Sequence, residues 1–109
     1  MYDALLAVLC HEAREGKLRY SEHHSIRLYQ RAVPDREQIR YLLCDDEPEV
    51  IESSEDERGR KHLIWGIMAD GRAAHVQCSR PPNAKVVTAY WPDTEQSEWT
   101  EDYKRRVSK

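Results

Sequence analysis

The sequence predicts an α+β fold, with N-terminal helices packed on one face of an antiparallel sheet of about four strands. Helical patterns fill most of the first 44 residues, whereas strand-like segments follow one another between residues 49 and 91. Runs of helices followed by runs of strands favour this class over an alternating α/β architecture. The chain has 109 residues, 39% of them hydrophobic. We therefore expect one small domain over residues 1–109.

The N-terminal part contains three helical patterns and one short strand. A leading helix is predicted over residues 1–16, because apolar side chains recur at helical spacing until Gly16 ends the pattern. Residues 17–21 alternate polar and apolar side chains, as a strand does. The second helix ends before Pro34, since the residue preceding a proline disfavours α geometry, and the third begins near Asp35.

The remaining elements are strands and a C-terminal helix. The segment at 53–60 (SSEDERGR) has no apolar residue and contains a glycine, so we expect a loop there. A short amphipathic helix is predicted within residues 93–109, which leaves residues 17–92 as the α+β core. The predicted strands are residues 49–52, 61–68, 73–79 and 85–91.

The dipeptide Asp70-Gly71 predicts a two-residue hairpin turn, because a type I′ turn needs positive φ at both central residues. Such a turn places Gly66 opposite His75 and fixes which side chains share a sheet face. One face is then apolar, with Leu63, Trp65 and Ile67. The opposite face is polar, and we expect it to be a ligand-binding surface that includes His62, His75, Gln77, Thr88 and Tyr90.

Charge and composition restrict the class of protein. The net charge is −3, and residues 35–58 carry three basic and ten acidic side chains. Dedicated nucleic-acid binders are usually basic overall, although a local basic face can still bind phosphates. No apolar run approaches the roughly 20 residues of a membrane span. The N-terminus lacks the pattern of a signal peptide, so we expect a cytoplasmic protein without membrane contact.

The three cysteines are widely spaced and form no C-x-x-C motif. This pattern favours reduced thiols over a disulfide framework or a zinc site. The five histidines also lack the usual metal-ligand spacing. We expect neither a metal nor another cofactor.

His23, Arg27 and Arg31 lie four residues apart, which stacks them in one stripe on a helix. Adjacent cations are best tolerated when negative charge lies opposite. Two partners remain open: carboxylates of the same chain, such as Asp35 and Glu37, or the phosphates of a ligand such as RNA.

Three segments together resemble a bacterial domain-of-unknown-function family allied to RelE-like and BrnT-like toxins. They are EGKLRYSEHHSIRLYQRAVPDREQIRYLL, LIWGIMADGRAAHVQC and VVTAYWPDTEQSEWTEDYKRR, over roughly residues 15–106. The leading helix is similar to that of MqsR-type toxins. The matching positions are His23, Arg27, Arg31, Gly71, Thr88, Tyr90 and Pro92, followed by Trp99, Tyr103 and Arg105 in the tail.

The resemblance implies a RelE-like fold and a metal-independent endoribonuclease of a toxin–antitoxin pair, with RNA and an antitoxin protein as partners. RNA cleavage of this kind needs an acid, a base and cations at the phosphorane. The resemblance assigns catalysis to His23, Arg27, Arg31 and Tyr90. Substrate binding falls to the polar sheet face, with His75, Gln77, Thr88 and His62; His75 is also a candidate acid or base.

The same residues have structural interpretations. His23 can cap a helix, the two arginines can pair with acidic residues, and Tyr90 can be a packed aromatic. Ala32 and His24 depart from the family pattern. A non-catalytic interaction protein, such as a degenerate toxin or a partner-binding scaffold, therefore remains the alternative function, and an unrelated small-molecule enzyme is a third.

Overall fold

The computed structural model describes residues 2–22, 25, 33–44 and 47–107. Within these residues two α-helices and five strands confirm the α+β class. The helices are α1 (Asp3–Arg14) and α2 (Arg36–Cys44). A 3-10 helix, η1, covers Pro92–Glu98. The strands are β1 (Arg19–Tyr20), β2 (Glu49–Asp56), β3 (Gly59–Ile67), β4 (Ala73–Ser79) and β5 (Lys85–Tyr90).

The five strands form one sheet in the order β1-β5-β4-β3-β2. Strands β2 to β5 are antiparallel neighbours, as the sequence predicts. The prediction of a purely antiparallel sheet is wrong, because β1 pairs in parallel with the edge of β5. This pairing depends on two residues of β1, Arg19 and Tyr20, opposite Lys85 and Val86. It is a long-range contact that the local sequence pattern does not contain.

Both helices pack on one side of the sheet, here called the helix face. Leu9 of α1 and Leu42 of α2 are fully buried there against Ile64 and Val76. Gly66 of β3 allows the close approach of α2, since a Cβ at this position would lie 2.6 Å from Leu42 Cγ. The apolar stripe of each helix therefore supplies one half of the core and the sheet supplies the other.

The β3–β4 turn has three residues, Ala69 to Gly71, rather than two. Met68 N donates to the Arg72 carbonyl at 2.8 Å, and Gly71 adopts a φ of 89°. This is the geometry of a hairpin loop that ends in a left-handed residue. Trp65, rather than Gly66, then lies opposite His75.

The single-residue change in register reverses the predicted faces of β3, because side chains alternate along a strand. Leu63 and Trp65 lie on the same face as His75, whereas His62 and Ile64 lie on the helix face. The assignment of His62 to the same surface as His75 is therefore wrong. The assignment of Thr88 and Tyr90 to the His75 face is confirmed, since they pair with Gln77 and His75.

The predicted loop at 53–60 is instead a continuation of two strands. The β2–β3 ladder extends to Asp56 and Gly59. Ion pairs join Glu55 to Arg60 at 3.1 Å and Asp56 to Lys61 at 2.7 Å. Opposite charges on directly facing strands stabilise an exposed hairpin without any apolar side chain, which is why the composition of the segment was misleading.

The predicted C-terminal helix is also different. After the short η1, Trp99 and Arg106 form a β-bridge, and Tyr103 has a φ of 62°, which no helix contains. We call residues 99–107 the C-terminal strap, because they lie across the sheet face opposite the helices. Lys104 Nζ lies 2.9 Å from Glu49 of β2, and Trp65 Nε1 donates to the Asp102 carbonyl at 2.9 Å.

Cys10 of α1 and Cys44 of α2 form a disulfide, with their Cα atoms 5.1 Å apart. The prediction of reduced thiols is therefore wrong for this pair, because the packing of the two helices brings together residues 34 positions apart. Cys78 is a free, buried thiol, and burial raises its pKa to about 12. In the described part of the chain no helix is long and apolar enough to cross a membrane.

Candidate functional site

The strap face of the sheet carries a cleft of about 290 Å³ at the end of β5. Two predicted site residues, Thr88 and Tyr90, form its floor because they alternate with the core residue Ala89 along the strand. The walls come from the segment after the sheet. They include Thr94, Glu98, Trp99 and Arg106.

His75 lies directly behind Tyr90 and is completely buried. Its Nε2 is 2.7 Å from the carbonyl oxygen of Tyr103, and its Nδ1 is 3.2 Å from the Tyr90 hydroxyl. A carbonyl oxygen only accepts hydrogen bonds, so Nε2 carries the proton and donates it. In the neutral ring Nδ1 is then the acceptor, and the Tyr90 hydroxyl donates to it.

The imidazole of His75 stays neutral near pH 7. Burial lowers its pKa to about 4, and the bond to the Tyr103 carbonyl and the charge of Glu52 offset only part of this effect. Its ring also packs edge-on against Tyr90 and Trp99, with centroids 5.2 Å and 4.4 Å away. His75 therefore positions Tyr90 and does not itself reach a ligand in the cleft.

Arg106 is a cation of the cleft, and its charge is largely matched. Its Nε donates to Glu52 Oε2 at 2.6 Å and its Nη2 to Oε1 at 3.3 Å, which raises the pKa of Arg106. The guanidinium also lies over the ring of Trp99, 4.7 Å from its centroid. With Glu98 as a second lining group, the cleft is polar but not strongly basic.

The structure brings together only part of the predicted site. Tyr90 and Thr88 line the cleft, His75 supports it from behind, and Gln77 lies beside it as the cross-strand partner of Thr88. His62 is on the other face of the sheet, buried against Tyr2. The predicted stripe of His23, Arg27 and Arg31 lies outside the described residues.

The cleft also contains residues that sequence reasoning did not assign to the site. Trp99 and Arg106 reach it because the bridge between residues 99 and 106 folds the strap back on itself, and Glu52 of β2 binds the Arg106 guanidinium there. The tail pattern of the family resemblance included Trp99. It also included Arg105, whereas the arginine in the cleft is Arg106. Among the described residues no group of three His, Cys, Asp or Glu side chains is arranged to hold a metal ion.

The model of a family described as Domain of unknown function (DUF4258) matches residues 20–91, about two thirds of the chain. The chain belongs to the DUF4258 family. No curated protein matches it, and no solved structure does.

The DUF4258 match includes the floor of the cleft and excludes most of its walls. His75, Thr88 and Tyr90 lie within the matched range, whereas Trp99 and Arg106 follow it. The tyrosine and its supporting histidine thus belong to the family region, and the strap adds side chains from outside that region.

Proposed function

We propose that this protein is a metal-independent endoribonuclease with a RelE-like fold, the toxin of a toxin–antitoxin pair in the cytoplasm. The observation that supports this best is the pair formed by Tyr90 and His75. A phenol hydroxyl at the floor of an open polar cleft is held in one orientation by a neutral, buried imidazole. Stacking on a base is suited to the ring of such a tyrosine.

The roles in this proposal follow from acid–base strength. An imidazole with a pKa of about 4 is too weak a base to take the proton of a phenol. Tyr90 therefore stays a neutral hydroxyl whose one proton is donated to His75 Nδ1, and its ring stacks on the base next to the scissile phosphate. The acid–base role falls to His23, and stabilisation of the phosphorane falls to Arg27 and Arg31.

Cleavage of a defined RNA by the purified protein in excess chelator tests the proposal. Attack by the 2′-hydroxyl leaves a 2′,3′-cyclic phosphate, and a 2′-deoxy substitution at the cleaved position stops it. We expect Tyr90→Phe to slow cleavage about 3- to 10-fold, because the ring loses the hydrogen bond to the neutral His75 that holds it in place. His23→Gln should slow it about 100-fold or more.

Tyr41→Phe is the matched control, because Tyr41 is a half-buried tyrosine of α2 in a separate groove. It should cleave like the wild type. Intact RNA after prolonged incubation with the wild-type protein contradicts the proposal, as does cleavage that is equal in wild type, Tyr90→Phe and His23→Gln. The proposal can also be tested in cells. It is contradicted if expression of the wild type changes neither growth nor transcript lengths, and expression of Arg27→Ala has equally little effect.

A non-catalytic interaction protein is the second candidate, and the strap favours it. The strap covers His75, and Glu52 pairs with Arg106, the one arginine that the described part of the chain places in the cleft. In this case the purified protein leaves RNA intact and forms a stable complex with the product of a neighbouring reading frame. Light scattering of the two purified proteins, alone and mixed, measures that complex.

A further inference from the structure

Four arginines surround a second cleft, at the opposite end of the β3 and β4 strands from the Ala69–Gly71 turn. This arginine cleft has a volume of about 460 Å³ and is lined by Arg19, Arg58, Arg60 and Arg80, with Glu55 as the one carboxylate that the described residues place there. In a chain whose net charge is −3, this is a local reversal of sign. A concentration of guanidinium groups is the arrangement that proteins use to bind phosphate.

Most of this positive charge is unmatched by the protein. Among the described residues no carboxylate forms an ion pair with Arg19, Arg58 or Arg80. Arg19 Nη2 donates to the uncharged Asn83 carbonyl at 2.7 Å.

Arg60 does pair with Glu55, at 3.1 Å, but both side chains are about half exposed or more. Exposed pairs of this kind are weak, so an incoming anion can replace the carboxylate.

A third cleft adjoins the arginine cleft and shares Arg60 and Arg80 with it. It measures about 430 Å³ and is mainly apolar. Its other lining residues come from the first turns of α1, from β3 and from the loop after β4. They are Tyr2, Ala4, Leu5, Val8, His62 and Pro81.

His62 provides an independent sign that this apolar cleft takes a ligand. Its side chain is buried, with 5% of the residue surface exposed, and its Nδ1 has no hydrogen-bond partner in the described part of the protein. Buried polar atoms almost always have a partner, so the partner of Nδ1 is a group outside the described residues, and a ligand in this cleft is one such group. Tyr2 packs edge-on against the same ring, with centroids 5.6 Å apart.

We propose that the two adjoining clefts form one binding site for a nucleotide. Arg60 and Arg80, at the boundary between them, bind the phosphate, and the base lies against Tyr2 with an edge within reach of His62 Nδ1. Arg19 and Arg58 extend the charge beyond a single phosphate. The nucleotide is either a free mononucleotide or one unit of a single-stranded RNA.

The site lies apart from the cleft of Tyr90, so nucleotide binding here does not depend on the ribonuclease proposal. Where the bound unit belongs to RNA, it would be a second contact of the proposed ribonuclease with its substrate, and that form of the inference rests on the proposed function. Binding is therefore measured with 2′-O-methyl RNA, which has no attacking hydroxyl and cannot be cleaved by the proposed route.

The test is a titration of the full chain with UMP, AMP, inorganic phosphate and a 2′-O-methyl hexanucleotide, by calorimetry and by NMR of the Tyr2 and His62 ring signals. We expect Arg80→Ala to weaken nucleotide binding about tenfold or more, since it removes a charge-assisted hydrogen bond. Tyr2→Ala should weaken nucleotide binding and leave inorganic phosphate unaffected.

The matched control is Arg40→Ala, which removes one exposed arginine from α2 and should bind like the wild type.

RNA is identified as the ligand if the hexanucleotide binds more tightly than either mononucleotide and if its affinity depends less on salt in Arg80→Ala than in the wild type. Equal binding of all three identifies a free nucleotide.

Three results overturn the inference. The first is that no nucleotide binds, and the second is that Arg80→Ala and Arg40→Ala bind equally well. The third is that inorganic phosphate binds as tightly as the nucleotides while Tyr2→Ala has no effect.

Discussion

The buried, neutral His75 makes the stability of the protein depend on pH in a predictable direction. Its pKa of about 4 in the folded protein is lower than the value of about 6.5 for an unfolded chain. Below pH 6.5 the unfolded state therefore takes up a proton that the folded state does not, and stability falls as the pH falls. Linkage gives a loss of about 2 kcal/mol between pH 7 and pH 5, and about 3 kcal/mol by pH 4.

Urea unfolding at pH 7 and pH 5, followed by tryptophan fluorescence, measures this loss. His75→Gln is the comparison variant, because its amide can still donate to the Tyr103 carbonyl but does not titrate. Subtracting the two proteins removes the contribution of carboxylates such as Asp93, whose pKa is lowered by Arg72 in both. The wild type should lose about 2 kcal/mol more than the variant. An equal loss in both would show that His75 is not held neutral and that its Nδ1 does not accept a hydrogen bond from Tyr90.

Two further predictions concern the helix side of the sheet. Gly66→Ala should lower the free energy of unfolding by about 1–3 kcal/mol, because its Cβ meets Leu42 at 2.6 Å. Denaturant melts of the double variant with Leu42→Ala should show a total loss smaller than the sum of the two single losses; a neutral Gly66→Ala contradicts the packing. Cys10→Ser, or reduction of the bond to Cys44, should cost about 3–4 kcal/mol, as expected for a closed loop of this length. A thermal melt unchanged by reductant contradicts the pairing.

The sequence predicted elements well where a pattern repeats within one segment. The leading helix was expected over residues 1–16 and is observed at Asp3–Arg14, because its apolar spacing and the following glycine are local signals. Strands β3, β4 and β5 were located for the same reason. The identification of Thr88 and Tyr90 as surface residues of the sheet followed from alternation along a single strand, which needs no knowledge of its neighbours.

Pairing between segments was harder to predict, because it depends on geometry that the dipeptide at a turn does not fix. Asp70-Gly71 suits a two-residue turn, but it equally suits the last two positions of a three-residue loop. The difference of one residue exchanges His62 with Trp65 between the two faces. The candidate binding residue His62 was therefore placed with Tyr90, whereas the structure places it with Tyr2.

The C-terminal strap shows why the walls of the Tyr90 cleft were missed. Trp99 and Tyr103 are four residues apart, which is helical spacing, and nothing within the segment contradicts a helix. Its conformation is decided by partners on the sheet, among them Glu52 for Arg106 and Trp65 for Asp102. Contacts with residues 37 and 54 positions away override a weak local preference.

The same contacts indicate that the strap is part of the cleft rather than a detachable cover. Its ion pair from Lys104 is exposed at the surface and contributes about 0–1 kcal/mol. Trp99, by contrast, is 95% buried against His75, and the loss of such a side chain costs about 3–5 kcal/mol. Release of the strap would also leave His75 Nε2 without its acceptor at Tyr103. His75 orients the Tyr90 hydroxyl, so release of the strap would open the cleft and disorder Tyr90 at the same time. A ligand must therefore enter beside the strap.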